Sequence, residues 1–170
     1  MEMRIRRAGA PDAGSLSLLG GATFLASFAH DHPGDAMLVH IRAEHSEAWY
    51  QAALARDDMA LWIAETPLGA PVAYAILGPA SLPGAEAGDL ELKRIYLLGP
   101  WQGGGRGSAL LDCVVGEAVA RGARRLLLAV YEANDKARAF YARKGFAPIG
   151  TTRFMVGDVP FTDLVLARPL

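Results

Sequence analysis

Four groups of residues in this chain have the types and spacing to do chemistry. Gln102-Gly103-Gly104-Gly105-Arg106-Gly107-Ser108 lies between an apolar strand pattern, Leu90 to Leu98, and an apolar helix pattern beginning near Ala109. Strand, glycine-rich turn and helix N-terminus together offer unpaired backbone N–H groups to a phosphate. Glycine permits positive φ and a close ligand approach, and the Arg106 guanidinium can join the same diphosphate. Further on, Asn134 is a good helix N-cap and Gly145 a helix terminator. Ala137, Phe140, Tyr141 and Lys144 share one face between them. Glu91 and Lys93 alternate along the strand before the loop and so face one side of it. His30-Asp31-His32 with Asp35 has metal-ligating types, but they crowd one loop beside Pro33-Gly34 with no further His or Cys cluster. That group reads as a solvated loop, and no metal is expected.

The glycine loop fits neither common nucleotide template. A P-loop ends in Gly-Lys-Ser/Thr, where this chain reads Gly105-Arg106-Gly107-Ser108. A dinucleotide fingerprint beginning at Gly103 needs glycine or alanine where Ser108 stands, and one beginning at Gly105 needs glycine at Leu110. The pattern that does match is Gln/Arg-x-x-Gly-x-Gly/Ala, here Gln102 to Gly107. The later segment matches Asn-x-x-Ala-x-x-Phe-Tyr-x-x-x-Gly-Phe, here Asn134 to Phe146. The two motifs stand in order, with room between them for one helix and one strand. On these residues the chain resembles the GNAT superfamily of N-acetyltransferases, closely over 90–146 and in outline elsewhere.

The resemblance implies an acetyl-CoA co-substrate held by Gln102, Gly103, Gly104, Gly105, Arg106, Gly107 and Ser108 at the diphosphate. It implies backbone contacts to the pantetheine from Ile95, Tyr96 and Leu97, and further contacts from Asn134, Lys136, Ala137 and Phe140. It sets Tyr141 beside the thioester sulfur, where a phenol of pKa near 10 can protonate a departing thiolate. A core tyrosine and a plain helix cap are the structural alternatives for Tyr141 and Asn134. In some polyamine-acetylating relatives a carboxylate stands where this chain has Lys93, so Glu91 is the named base, with a paired strand carboxylate as the alternative. The resemblance also sets Phe24 and Phe28 over the acceptor, although their spacing suits core packing too. Asp31 and Asp35 can attract a cationic acceptor.

Positioning these groups requires a definite order of elements. Met3 to Ala8 reads as a strand, and Pro11-Asp12 opens a helix carrying Leu16, Leu19, Thr23, Phe24 and Phe28. A polar loop at 29–36 precedes a second helix, Met37 to Arg56, anchored by Leu38, Ile41, Trp49 and Leu54. Strands at 60–65 and 72–77 lead to a flexible connector at 78–88. After the loop, Leu110, Leu111, Val114, Val115, Ala118 and Val119 form a helical stripe that Arg121-Gly122 ends. Arg125 to Val130 is a buried strand, Asn134 to Lys144 a helix, and Phe146–Val156 and Thr162–Arg168 close the fold as strands. The expected class is α/β (α+β), with the GNAT-type acyl-CoA N-acyltransferase fold: a mixed, mostly antiparallel sheet flanked by helices.

Composition bounds the rest. A chain of 170 residues, 52% of them hydrophobic, suits one domain over 1–170 with a proper core. Its net charge of −1 gives no pull toward nucleic acid or membrane. The lone Cys113 fits a reduced, cytoplasmic setting, and it lies in the helical stripe, which argues against an acetyl-cysteine intermediate. The expected activity is acetyl transfer in a ternary complex to a small primary amine, a polyamine among the candidates. A protein lysine or N-terminal acetyltransferase and a non-catalytic CoA-binding module are the alternatives. Among partners, the resemblance adds a homodimer.

Overall fold

The computed structural model describes residues 2–170. Seven strands form one sheet: β1 (Arg4–Arg7), β2 (Ala60–Glu65), β3 (Pro71–Pro79), β4 (Leu90–Leu97), β5 (Arg125–Tyr131), β6 (Ala147–Val156) and β7 (Val159–Pro169). They lie in the order β1-β2-β3-β4-β5-β7-β6, antiparallel at every step except the parallel pair β4–β5. Period-two alternation divides the strand side chains between two cores. Trp62, Ala64, Ala73, Ala75 and Leu77 pack on one face with Leu110, Leu111 and Val114 of α4 (Arg106–Ala120). Leu61, Ile63, Tyr74 and Ile76 pack on the other with Leu16 and Leu19 of α1 (Ala13–Phe28) and Tyr50 of α3 (Glu47–Leu54). Two further helices, α2 (Gly34–Glu44) and α5 (Asp135–Arg143), complete the chain.

The expected mixed, mostly antiparallel sheet is present, and four local expectations are corrected. The stretch 37–56 is two helices, because Ser46 caps α3 by accepting the Trp49 N–H at 3.2 Å. Leu38 is exposed, and the anchors of α2 are Ala36, Met37 and His40. Val119 is exposed too, since the buried stripe of α4 narrows to Leu110, Leu111, Val114 and Ala118. The connector at 78–88 begins inside β3 and is tied down: Ser81 N–H donates to Glu91 at 2.8 Å, and Arg125 donates to the Gly84 carbonyl at 3.0 Å.

Gly20 permits the close meeting of α1 with the break between α2 and α3. A Cβ there would stand 2.3 Å from His45 Nδ1 and 2.3 Å from the Tyr50 hydroxyl. Strands β6 and β7 join through the two-residue turn Gly157-Asp158. Gly157 has φ +60° and would bring a Cβ within 3.1 Å of the Ala36 backbone, so the hairpin tip presses on the first turn of α2. Among the described residues no helix is long and apolar enough to cross a membrane.

Candidate active site

The site opens where the sheet comes apart. Strands β4 and β5 pair only at Leu90–Leu126 and Glu91–Leu127, whereas β3–β4 continues to Ala73–Leu97 and β5–β7 to Tyr131–Asp163. A bulge in β4 marks the divergence: Arg94 pairs with Ile76 and Leu92 with Leu77, leaving Lys93 as the extra residue. Leu92 and Ile95 consequently both pack toward α4, on the same face despite their three-residue spacing. Beyond Glu91 the β5-facing edge of β4 has no strand partner among the described residues, so its peptide groups are open to a ligand.

A cavity of about 750 Å³ occupies this gap. Ile95, Tyr96, Leu97, Gln102, Gly103, Gly105, Gly107, Ser108, Asn134, Lys136, Ala137, Phe140 and Tyr141 line it. Gly104 and Arg106 stand outside that lining. The Arg106 guanidinium donates to the Gly103 carbonyl at 3.2 Å and lies 5.8 Å from the Trp101 ring. At the far end Gly103, Gly104 and Gly105 have φ of +82°, +59° and +78°. Other residues pay roughly 1–2 kcal/mol for that left-handed conformation, which explains the glycine run. The first intrahelical bond of α4 is Ala109 N–H to Gly105 at 2.9 Å, so the Gly107 and Ser108 N–H groups precede it. Gln102 ties the loop down by donating to the Leu97 carbonyl at 3.3 Å and accepting from Lys136 at 2.6 Å. This is a fit for a diphosphate: free helix-start amides, left-handed glycines and a lysine at the rim.

Helix α5 projects the next group. Asn134 caps it, its side chain accepting the Ala137 N–H at 3.1 Å, and Tyr141 two turns later reaches the inner end of the cavity. Tyr141 is 8% exposed, and its hydroxyl has no protein hydrogen-bond partner among the described residues. Burial, with Tyr96 nearby, pushes its phenol above the ordinary tyrosine value, so it stays protonated.

A second cavity, about 560 Å³, meets the first at Tyr141, Asn134, Ile95 and Tyr96. Phe24 and Phe28 line it, Phe28 lining both. Glu91 also borders it, but its carboxylate accepts from Ser81 N–H at 2.8 Å and Lys93 at 2.8 Å. It therefore enters the cleft as half of an ion pair, the paired strand carboxylate that was the alternative reading for this residue.

The 29–36 loop is corrected as well. His32 is buried and stacked on Phe161 at 3.6 Å, with Nδ1 2.6 Å from Asp31. Asp31 also accepts from the Tyr131 hydroxyl at 3.1 Å. Burial opposes its charge, yet these hydrogen bonds hold its carboxyl below the usual range. Asp35 lies apart, in the first turn of α2. His40 and His45 complete the wall, and burial keeps both neutral, His45 down to about 3. Sequence reasoning missed these three histidines as wall residues, along with Tyr131, Phe161 and Asp163. The available signal for Asp163 was a single charge on the inward phase of an otherwise apolar strand.

The profile of the Acetyltransferase (GNAT) family matches residues 26–146. A protein named an uncharacterized N-acetyltransferase from Mycobacterium tuberculosis is 38% identical over 95 residues, 56% of this chain and 61% of the relative. The chain thus spans about three-fifths of the mycobacterial relatives it matches. A similarly named protein from Lactobacillus delbrueckii subsp. lactis is 33% identical over 81 residues, 48% of this chain and 47% of its own. Among solved structures, the PaiA N-acetyltransferase of Thermoplasma acidophilum in complex with coenzyme A superposes with a TM-score of 0.83 at 19% identity, covering 100% of both chains. The ribosomal-protein-alanine N-acetyltransferase of Brucella melitensis gives 0.74 at 25%, covering 98% of this chain and 99% of its own. With the profile spanning most of the chain, both motifs included, the chain belongs to the GNAT acetyltransferase family.

Proposed function

We propose that the protein is an acetyl-CoA-dependent N-acetyltransferase that moves an acetyl group directly to a small primary amine, with 1–170 acting as one domain. The observation that carries this reading is the junction at Tyr141 of two cavities, one ending in a diphosphate cradle and the other walled by rings. The Gly103–Ser108 amides and Lys136 hold the diphosphate, the open edge of Ile95–Leu97 holds the pantetheine as an added strand would, and Phe140 and Ala137 pack against it. Bound acetyl-CoA supplies an activated thioester at the inner end. The amine, once deprotonated, forms a bond from nitrogen to the acetyl carbon as the carbon–sulfur bond breaks. Tyr141 gives its proton to the leaving sulfur, and the proton lost by the nitrogen restores the phenol.

The second chamber, concave and lined by Phe24, Phe28 and further rings, favours a small acceptor. Polyamines belong in the acceptor panel, and Phe24 and Phe28 serve as acceptor contacts. The free Cys113 suits a reduced, cytoplasmic setting. A homodimer is proposed through the outer edge of β6, which lacks a strand partner and exposes Ile149, Phe154 and Met155; light scattering reads it. The function is tested by thiol release from acetyl-CoA against free amines, lysine peptides and buffer. Release with small amines is expected. Release with peptides alone moves the assignment to a protein acetyltransferase, and coenzyme binding without release leaves a non-catalytic binding module.

A further inference from the structure

The chamber contains one acid that the transfer reading leaves idle. On β7, Leu164 and Leu166 turn toward the α4 core, so Asp163 shares the opposite face with Phe161 and Val165. Asp163 is only 7% exposed and lines the chamber, yet it has no hydrogen bond or ion pair among the described residues. Its oxygens are not sealed in: among the described residues, the fully enclosed polar side-chain atom without a partner is the Tyr74 hydroxyl. The carboxylate therefore meets cavity space. A buried acid without a donor is costly, and the fold keeps one here. Burial, with Glu132 adding to it, raises its carboxyl to about 6, as expected for an acid awaiting a cation.

The other acids of the wall are already matched, Glu91 with Lys93 at 2.8 Å and Glu44 with Arg94 at 3.6 Å. The same chamber is lined by Phe24, Phe28, His32, Tyr131 and Phe161, linked by ring contacts at centroid distances of 3.6–6.1 Å. Such rings attract a cation through their faces and accept a flat apolar group by area. A second ammonium would find only acids that already face a cationic side chain.

We infer that Asp163 seats the ammonium of the acceptor and the ring wall takes its body, so the preferred substrate class is a primary amine with one cationic head on a flat apolar group. This rests on the acetyltransferase reading and narrows its acceptor. The test is calorimetry on the CoA-loaded protein, with 2-phenylethylamine as probe, 2-phenylethanol as uncharged control and spermidine as polycation. The wild-type protein is expected to bind 2-phenylethylamine more tightly than spermidine. Asp163→Asn weakens that probe about 10- to 100-fold, the range for a lost charged hydrogen bond, and leaves 2-phenylethanol and CoA affinities unchanged. Asp163→Glu, which keeps the charge slightly displaced, costs less than Asp163→Asn. Equal affinity in wild type and Asp163→Asn, tighter spermidine binding, or no binding of 2-phenylethylamine overturns the inference. Binding is read without turnover, so the two readings fail separately. Asp163-dependent binding without thiol release sinks the transferase alone; thiol release indifferent to Asp163 sinks the ammonium seat alone.

Discussion

In the proposed transfer, Tyr141 acts with little help from its neighbours. Its hydroxyl faces the meeting of the two cavities without a protein partner, and burial keeps the proton on it. Tyr141→Phe removes one oxygen and no packing. The expected outcome is a fall in kcat of about 10²- to 10⁴-fold, the usual contribution of a positioned acid, with CoA affinity and Tm unchanged. Steady-state kinetics with calorimetry check it, and undiminished kcat removes Tyr141 from the mechanism. The tyrosine was legible in the sequence because a local motif fixes it. Asp163 was not, since its significance depends on having no partner, which only the assembled chamber reveals. Glu91 was half legible: strand alternation turned it to the cleft, but its donor Ser81 arrives through a turn whose path the sequence leaves open.

At the scale of elements, the proposed diphosphate cradle depends on backbone shape more than on side chains. A Cβ at Gly105 would meet nothing within 4 Å, yet its φ of +78° is unfavourable for any other residue. Gly105→Ala should therefore cost stability by roughly 1–2 kcal/mol, and by moving the helix-start amides weaken CoA about tenfold or more, as loss of one charged hydrogen bond would. Denaturation and calorimetry read the two effects. Full stability with full CoA affinity would show that the loop does not need the left-handed turn. Helices α1, α4 and α5 were legible from apolar spacing and caps. The break at His45-Ser46 was not, because apolar spacing continues across it while Ser46 ends the run. The bulge at Lys93 was equally hidden, since it is defined by register against β3.

At the scale of the whole molecule, pH acts through groups the fold encloses. His45, held by burial, takes up its proton only near pH 3 in the folded state, against about 6.5 when unfolded. Between those values the unfolded chain binds the extra proton, so stability falls as pH drops, by as much as about 1.4 kcal/mol per pH unit. Asp163 acts in the opposite sense: its folded value, about 6, is raised, so stability rises as pH drops from there toward its unfolded value. Urea denaturation between pH 7 and 4 should show a shallower acid loss for His45→Gln than for wild type, and identical slopes would exclude His45 as the source. The insertion of β7 between β5 and β6 is a long-range pairing that composition and periodicity do not encode; the family resemblance gave the mixed, mostly antiparallel sheet but not this strand order.

The contact of Gly157 with Ala36 welds the tip of the last hairpin to the beginning of α2. Two stretches of chain remote in sequence thus lie against one another beside the second chamber. A side chain placed at Gly157 would therefore displace the start of α2 and the chamber wall at once, so neither stretch can be altered there alone.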